Sequence, residues 1–294
     1  MLLLAIPDAC RPRLYWRAAA LVILALFVCL PVAAGAEEPS DELLLKNTGW
    51  GRFKPGAWQH VRVIVETLDP KGIITNTTSS DRITTLVTVA PQSVTLELDI
   101  TAEVAGKRLD APLQLVTQGC HGEPSGQTTE VRDLEPTSST IEGRKITCRV
   151  REFQIADKDQ KRRVLVYYNR DVAPVVLRRQ CEARSQDGAR QTVQSELEVV
   201  SLNTPYKVLK QMMPASVIRT VQKTDSTSIT TQAVLVSDVP GGIVSSTSQE
   251  LDAEGKLVRR TTLELVGWGA QSDLSDPPSA GRRRESRRSR RHNK

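Results

Sequence analysis

Apolar and polar residues alternate with a period of two along most of this chain. In the clearest run Val94, Leu96, Leu98, Ile100, Ala102 and Val104 share one face, and Thr95, Glu97, Asp99, Thr101 and Glu103 share the other. Successive side chains of a strand point to opposite sides of the pleat, so the run predicts a half-buried antiparallel strand. Similar alternation marks Val61–Val65, Ile83–Val89, Ile146–Val150, Val164–Tyr168 and Val193–Val199. It continues from Val175 to Ser185, where Arg178, Gln180, Glu182 and Arg184 form the polar side. Between Val150 and Phe153 the apolar phase slips by one residue, which predicts a β-bulge. Turn residues separate the runs at Asp69-Pro-Lys-Gly72, Ala90-Pro-Gln-Ser93, Ala105-Gly-Lys107, Gln186-Asp-Gly188, Pro240-Gly-Gly242 and Ala253-Glu-Gly255. Strands joined by short turns describe a meander.

Helical signals are few. Asp41–Lys46 reads as a short helix behind a Ser40 cap, and Pro205–Met213 as another before Pro214. In the second, Val208, Leu209, Met212 and Met213 fall at helical spacing, a stripe that serves core packing rather than a ligand. The expected class is mainly β: one large curved antiparallel sheet or unclosed barrel with one or two short helices.

The ends differ from the body. Arg11, Arg13 and Arg17 precede an uncharged run from Ala18 to Leu30, followed by Pro31 and Ala34-Gly-Ala36. A basic start, an apolar core and a small-residue site form a secretory signal, so residues 1–36 are expected to be cleaved. The alternative is an uncleaved N-terminal membrane anchor. Residues 37–57 form an aromatic lead-in, 58–270 the antiparallel β domain, and 271–294 a basic tail expected to be disordered.

Location changes the meaning of the net charge of +6. The tail carries Arg282, Arg283, Arg284, Arg287, Arg288, Arg290, Arg291 and Lys294 against Glu285, a net +7. With the leader at +2, the body is left at −3. A basic tail on an exported chain is suited to anionic lipid headgroups or acidic envelope polymers, and nucleic acid is an improbable partner. A solvated extension is the plainer reading.

The chain also echoes itself. At an offset of 67, Asp171–Leu177 falls on Asp238–Val244 and Gly188 on Gly255; with one residue of slip, Ser195–Val199 faces Thr262–Val266. The repeat spans about 171–200 and 238–267. A fainter echo sets Leu68-Asp-Pro-Lys-Gly72 beside Leu251-Asp-Ala-Glu-Gly255. Segments such as Asp238–Ser248, followed by a Gly reversal and a terminal Leu-Glu-Leu strand, resemble uncharacterised exported bacterial β-proteins with LolA-like, lipoprotein-carrier architecture. The resemblance covers residues 58–268 and implies a curved, unclosed sheet around apolar volume and a lipid or lipoprotein ligand. It departs from that family in offering little helix, and no functional residue is carried over.

Candidate chemistry is sparse. Trp50, Phe53 and Trp58 cluster at the start of the body and could meet Trp268 on the last strand. They read as a cap on one end of the sheet, with an aromatic platform for a glycan or lipid headgroup as the functional alternative. After loss of the leader, Cys120, Cys148 and Cys181 are the candidates for one disulfide, in any of three pairs, or buried small hydrophobes. Cys120-His121 sets a nucleophile beside a base, yet neighbours in sequence normally diverge in space, so a hydrolase is disfavoured. His60 and His121 are the only histidines of the body, and there is no G-x-S-x-G, P-loop, dinucleotide or H-E-x-x-H motif. No catalytic residue, metal ligand or cofactor is called for. The expected function is therefore non-enzymatic: an exported β-protein binding an apolar or amphipathic ligand or an envelope partner, or a structural module of the envelope.

Overall fold

The computed structural model describes residues 49–90, 93–119, 128–156, 160–185 and 191–270. The leader, the Asp41–Lys46 helix, the Cys120-His121 pair, the Gln186–Gly188 turn and the basic tail lie outside them. Fourteen strands follow in order: β1 (Trp58–Leu68), β2 (Ile74–Ala90), β3 (Ser93–Val104), β4 (Lys107–Asp110), β5 (Gln114–Gly119), β6 (Thr128–Ile141), β7 (Arg144–Ala156), β8 (Gln160–Tyr168), β9 (Val176–Ser185), β10 (Gln191–Val208), β11 (Gln211–Thr224), β12 (Thr227–Leu235), β13 (Ile243–Asp252) and β14 (Leu257–Gly269). All belong to one antiparallel sheet, ordered β4-β3-β2-β1-β14-β13-β12-β11-β10-β9-β8-β7-β6, with β5 also on β3. Every neighbouring pair along this path is consecutive in sequence except β1 and β14, which join the chain's two arms at the centre.

Reversals follow the turn chemistry of the sequence. Asp69 Oδ1 accepts the amides of Lys71 and Ile73 at 2.9 and 2.8 Å, while Gly72 takes a φ of 80°. Asp252 Oδ1 accepts those of Glu254 and Lys256 at 3.1 and 2.8 Å, with Gly255 at 79°. The two Leu-Asp-x-x-Gly segments thus build the same turn: the carboxylate satisfies the bend's amides, and glycine supplies the left-handed conformation other residues resist. One joins β1 to β2 and the other β13 to β14.

Pro205–Met213 is not a helix, and no helix occurs among the described residues. The segment is the β10–β11 hairpin, in which Val208 pairs with Gln211, Lys207 with Met212 and Tyr206 with Met213 across Leu209-Lys210. Period two wins because Tyr206, Val208 and Met213 gain a shared apolar cluster with Ala215, Val236 and Val239, whereas Met212 stays exposed. A helix would have had to bring Leu209 and Met212 to that cluster as well.

The slip on β7 is real, with Val150, Arg151, Glu152 and Phe153 all buried. The extra residue sits on the partner strand instead: Leu134 faces Val150 and Thr137 faces Cys148, so the bulge is on β6. The sheet curls without closing. Although β7, β8 and β9 separate β6 from β10, Glu142 at the β6–β7 tip accepts hydrogen bonds from Ser201 Oγ at 2.9 Å and the Leu202 amide at 3.2 Å. Beside them Ile141 and Cys148 pack with Leu177, Val199, Ile218 and Ala233.

Candidate functional site

The curl defines an inward face. Register carries one row across it from Leu177 and Val199 through Ile218, Ala233, Ser246 and Leu263 to Val63 and Ser80, all buried. Aliphatic side chains dominate at Val61, Val63 and Leu263, each worth about 1.5–3 kcal/mol when withdrawn from water. At the middle of β12 and β13 the inward residues are small, Thr231, Ala233, Ser246 and Ser248, with Thr231 Oγ1 and Ser248 Oγ hydrogen-bonded at 2.8 Å, and the face continues to the paired Ile229 and Glu250.

Cations stand among these residues. Arg82, between Val61 and Ile100 in the register, is 9% exposed and flanked along β2 by buried Ser80 and Thr84. Burial lowers the pKa of its guanidinium to about 10, because the low-dielectric surroundings disfavour its charged form. Arg151 and Arg179, each 6% exposed, flank Val166 across β7, β8 and β9. Arg151 donates to both oxygens of Asp133 at 2.7 and 3.2 Å, and this bidentate bond holds the carboxyl below the usual carboxylate range.

The outward face is built differently, with acids and bases neutralising one another along the strands. Arg163 meets Glu152, Arg178 meets Glu196, and Arg219 meets Glu198. On β1 and β2, Asp81 receives Arg62 at 3.1 Å and His60 at 3.2 Å, and its hydrogen bonds raise the Arg62 guanidinium. The exposed pairs, Arg178 with Glu196 and Arg219 with Glu198, contribute at most about 1 kcal/mol each, whereas the Glu152 carboxylate is buried beneath Arg163.

The four aromatic residues do not form one cluster. Trp50 and Phe53 pack with Ala57, Leu86, Val94 and Leu96. Trp268 belongs with Val208, Val236, Val239 and Val244. Trp58 lies so close to Gly267 and Gly269 that a Cβ at Gly269 would stand 2.5 Å from its Nε1. Those glycines flank Trp268 in sequence, so strand alternation sends Trp58 and Trp268 to opposite faces. Cys148 and Cys181 are buried in two different clusters and are not bonded to one another. Cys120 and Arg282, Arg283, Arg284, Arg287, Arg288, Arg290 and Arg291 lie outside the described residues.

The inward arginines were missed by the sequence reading, though a signal was present. Arg179 sits on the apolar side of its strand, between Leu177 and Cys181, where an alternating pattern calls for an aliphatic residue. Among the described residues no group of three or more His, Cys, Asp or Glu could hold a metal ion.

No protein-family model and no curated protein matches this chain. Solved structures overlap it loosely. A Bacteroides fragilis protein with a YmcC-like fold, described as exported, is 12% identical over 73% of this chain and 97% of its own, with a TM-score of 0.28. A DUF1329 family protein from Desulfovibrio piger is 8% identical over 80% and 93%, with a TM-score of 0.35. MucB, solved in complex with MucA(peri), is 11% identical over 78% and 94%, with a TM-score of 0.18. Overlaps this loose place no constraint on the chemistry of the present chain.

Proposed function

We propose that this chain is an exported, non-enzymatic binding protein of the cell envelope whose inward sheet face receives an amphipathic ligand. The observation that carries the reading is the make-up of that face: rows of Val, Leu and Ile interrupted by small Ser, Thr and Ala on β12 and β13, and by the buried guanidinium of Arg82. A sheet built only to pack against itself would favour aliphatic residues at such positions. Burying a guanidinium costs several kcal/mol before compensation, and an aliphatic residue of similar volume is often neutral or stabilising. Retaining polar and charged groups there suits a face that must hold a ligand with both an apolar and a polar part.

Export rests on the leader, with cleavage after Ala36, and the basic tail is the element that would keep the mature protein near anionic surfaces. The alternative is a structural envelope module with a filled interior, and the small inward residues of β12 and β13 weigh against it. Native mass spectrometry of the protein purified from its own envelope, with lipid analysis of the organic extract, tests the proposal. A stoichiometric amphiphile is expected; protein repeatedly recovered bare, and unable to take up a fluorescent fatty acid, would refute it.

A further inference from the structure

One end of the sheet gathers features that suit a single partner. β1 starts there and β14 ends there, with Trp58 across from Gly269. The β12–β13 loop and the β10–β11 turn close the same end, because neighbouring strands from β14 to β10 alternate in direction. The chain enters the described residues at this end, where the Gly49 carbonyl accepts the Gly241 amide, and leaves them here at Ala270. Trp268 and Val208 belong to one apolar cluster with Val236 and Val239. The segment leading to the basic tail, whose residues 282–294 carry a net +7, therefore departs beside the base of the β10–β11 hairpin.

The end of that hairpin is both apolar and basic. Tyr206, Val208 and Met213 join the cluster, so strand alternation sends the directly opposed pair Lys207 and Met212 to the other side. Leu209 and Lys210 form the tip. Leu209 is 48% and Met212 65% exposed, and both lysines are exposed beside them. Leu209 holds a φ of 52°, a turn conformation that Gly, Asn or Asp adopts with less strain and with no apolar side chain left in water. No acid occurs in the sequence between Glu198 and Asp225. Acids on the neighbouring turns have cationic or hydrogen-bonding company: Asp238 meets Arg52 at 3.2 Å, Glu142 accepts from Ser201 and the Leu202 amide, and Asp171 follows Arg170 in the chain.

We infer that the β10–β11 tip docks this end of the protein on an anionic lipid bilayer, with Leu209 and Met212 in the boundary between headgroups and acyl chains and Lys207 and Lys210 against the lipid phosphates. The inference rests on the anionic-surface reading of the tail and adds a second contact to it; it is independent of what the inward face holds. Apolar insertion and attraction of bases to anionic headgroups reinforce one another at such a boundary. The tail's attraction is felt over about 8 Å at physiological salt and brings the protein close, whereas the tip acts only on contact and fixes orientation. Two linked weak contacts hold better than either alone. The turns at Gly72 and Gly255, at the opposite end of the sheet, then face away from the bilayer.

The test is co-sedimentation of the full mature protein with mixed phosphatidylglycerol and phosphatidylcholine vesicles, against vesicles of phosphatidylcholine alone. Preferential binding to the anionic vesicles is expected. Leu209→Asn combined with Met212→Gln should weaken that binding about tenfold and leave its salt dependence unchanged. Lys207→Gln combined with Lys210→Gln should weaken it about tenfold at low salt and flatten the salt dependence. All four side chains are exposed and Asn tolerates the left-handed conformation, so both variants should fold, as circular dichroism and thermal melts will show. Truncation after Gly281 should weaken binding further. Hairpin variants that bind like wild type, while the truncation abolishes binding, would overturn the docking site and leave the tail's role standing. Failure of wild type to bind would overturn both. A wild-type dimer in sedimentation velocity that the Leu209→Asn, Met212→Gln variant dissolves, with vesicle binding unchanged, would assign the tip to a second copy of the chain and overturn the proposal.

Discussion

The amide of Gly241 donates to the carbonyl of Gly49 at 2.7 Å, and neither residue has room for a side chain. A Cβ on Gly49 would stand 2.7 Å from the Gly241 oxygen; one on Gly241, whose φ is 79°, would stand 2.7 Å from Gln59 Oε1 and 3.0 Å from Trp50 Cζ2. The lead-in is therefore clamped to the loop between β12 and β13, with Gln59 Nε2 bonded to the Ile243 carbonyl at 2.7 Å in support. Gly241→Ala combines backbone strain with overpacking and should cost about 2–4 kcal/mol in urea unfolding. Gly255→Ala, at the same φ with open space around it, should cost only about 1–2 kcal/mol. Equal losses at the two sites would show that the clamp adds nothing.

Trp50 gives a second check on that clamp. Its indole Nε1 is buried with no hydrogen-bond partner among the described residues, so the ring's contribution comes from packing on Leu86, Val94 and Leu96. Trp50→Phe should stay within about 1 kcal/mol of wild type, because lost area is offset by removal of a desolvated donor. Trp50→Ala should cost about 3–5 kcal/mol. A Phe variant as damaged as the Ala variant would mean that the indole N–H has a partner after all.

Much of the sheet could be read from alternation, and the exceptions have physical causes. On β3, the apolar set from Val94 to Val104 faces inward as the pattern required. On β2 the inward residues are Ser80, Arg82, Thr84 and Leu86, and Ile83 is buried on the other side, so the alternation read over Ile83–Val89 does not tell which face the sheet buries. Period-two reasoning takes polarity as a sign of solvent, and it fails where a buried face is itself polar. The same bias hid Arg151 and Arg179. The aromatic group failed for a geometric reason: residues near in sequence at a strand's start, such as Trp50 and Trp58, are sent to different surroundings by one turn and one strand.

The hairpin at Leu209-Lys210 makes a prediction opposite to that of the helix its sequence suggested. Leu209 has a φ of 52°, an uncommon conformation for an L residue, and its side chain is exposed. Leu209→Gly should relieve that strain and raise stability by about 0.5–1 kcal/mol. In a helix the same change would lower it by about 1 kcal/mol. The sign of the shift in urea midpoint distinguishes the two.

Asp133 ties stability to pH. Its carboxyl is held below the ordinary value by Arg151, so its contribution is fully present above the unfolded carboxylate's pKa of about 3.9 and is lost as pH falls through the folded value. Since the Asp133 side chain is 61% exposed, screening limits the effect to about 1 kcal/mol. Asp133→Asn should therefore be less stable than wild type by about that amount at neutral pH, and the gap should close in acid. A gap that does not shrink as the pH falls below about 3.9 would assign the loss to something other than this pair.

The small inward residues decide between a binding face and a filled core. Ser246 lies inward between Ala233 and Leu263 in the register and is buried, in the same row as Ile218 and Val63. If that row is lined for a ligand's chain, Ser246→Leu supplies the apolar volume from within. The variant should remain folded, with a midpoint near that of wild type, and should lose uptake of both a fluorescent fatty acid and its methyl ester. In a filled core the added carbons would force neighbouring side chains from their rotamers, at a cost of about 1–3 kcal/mol. A strongly destabilised variant that still takes up the probe would place the ligand elsewhere and assign the inward face to packing alone.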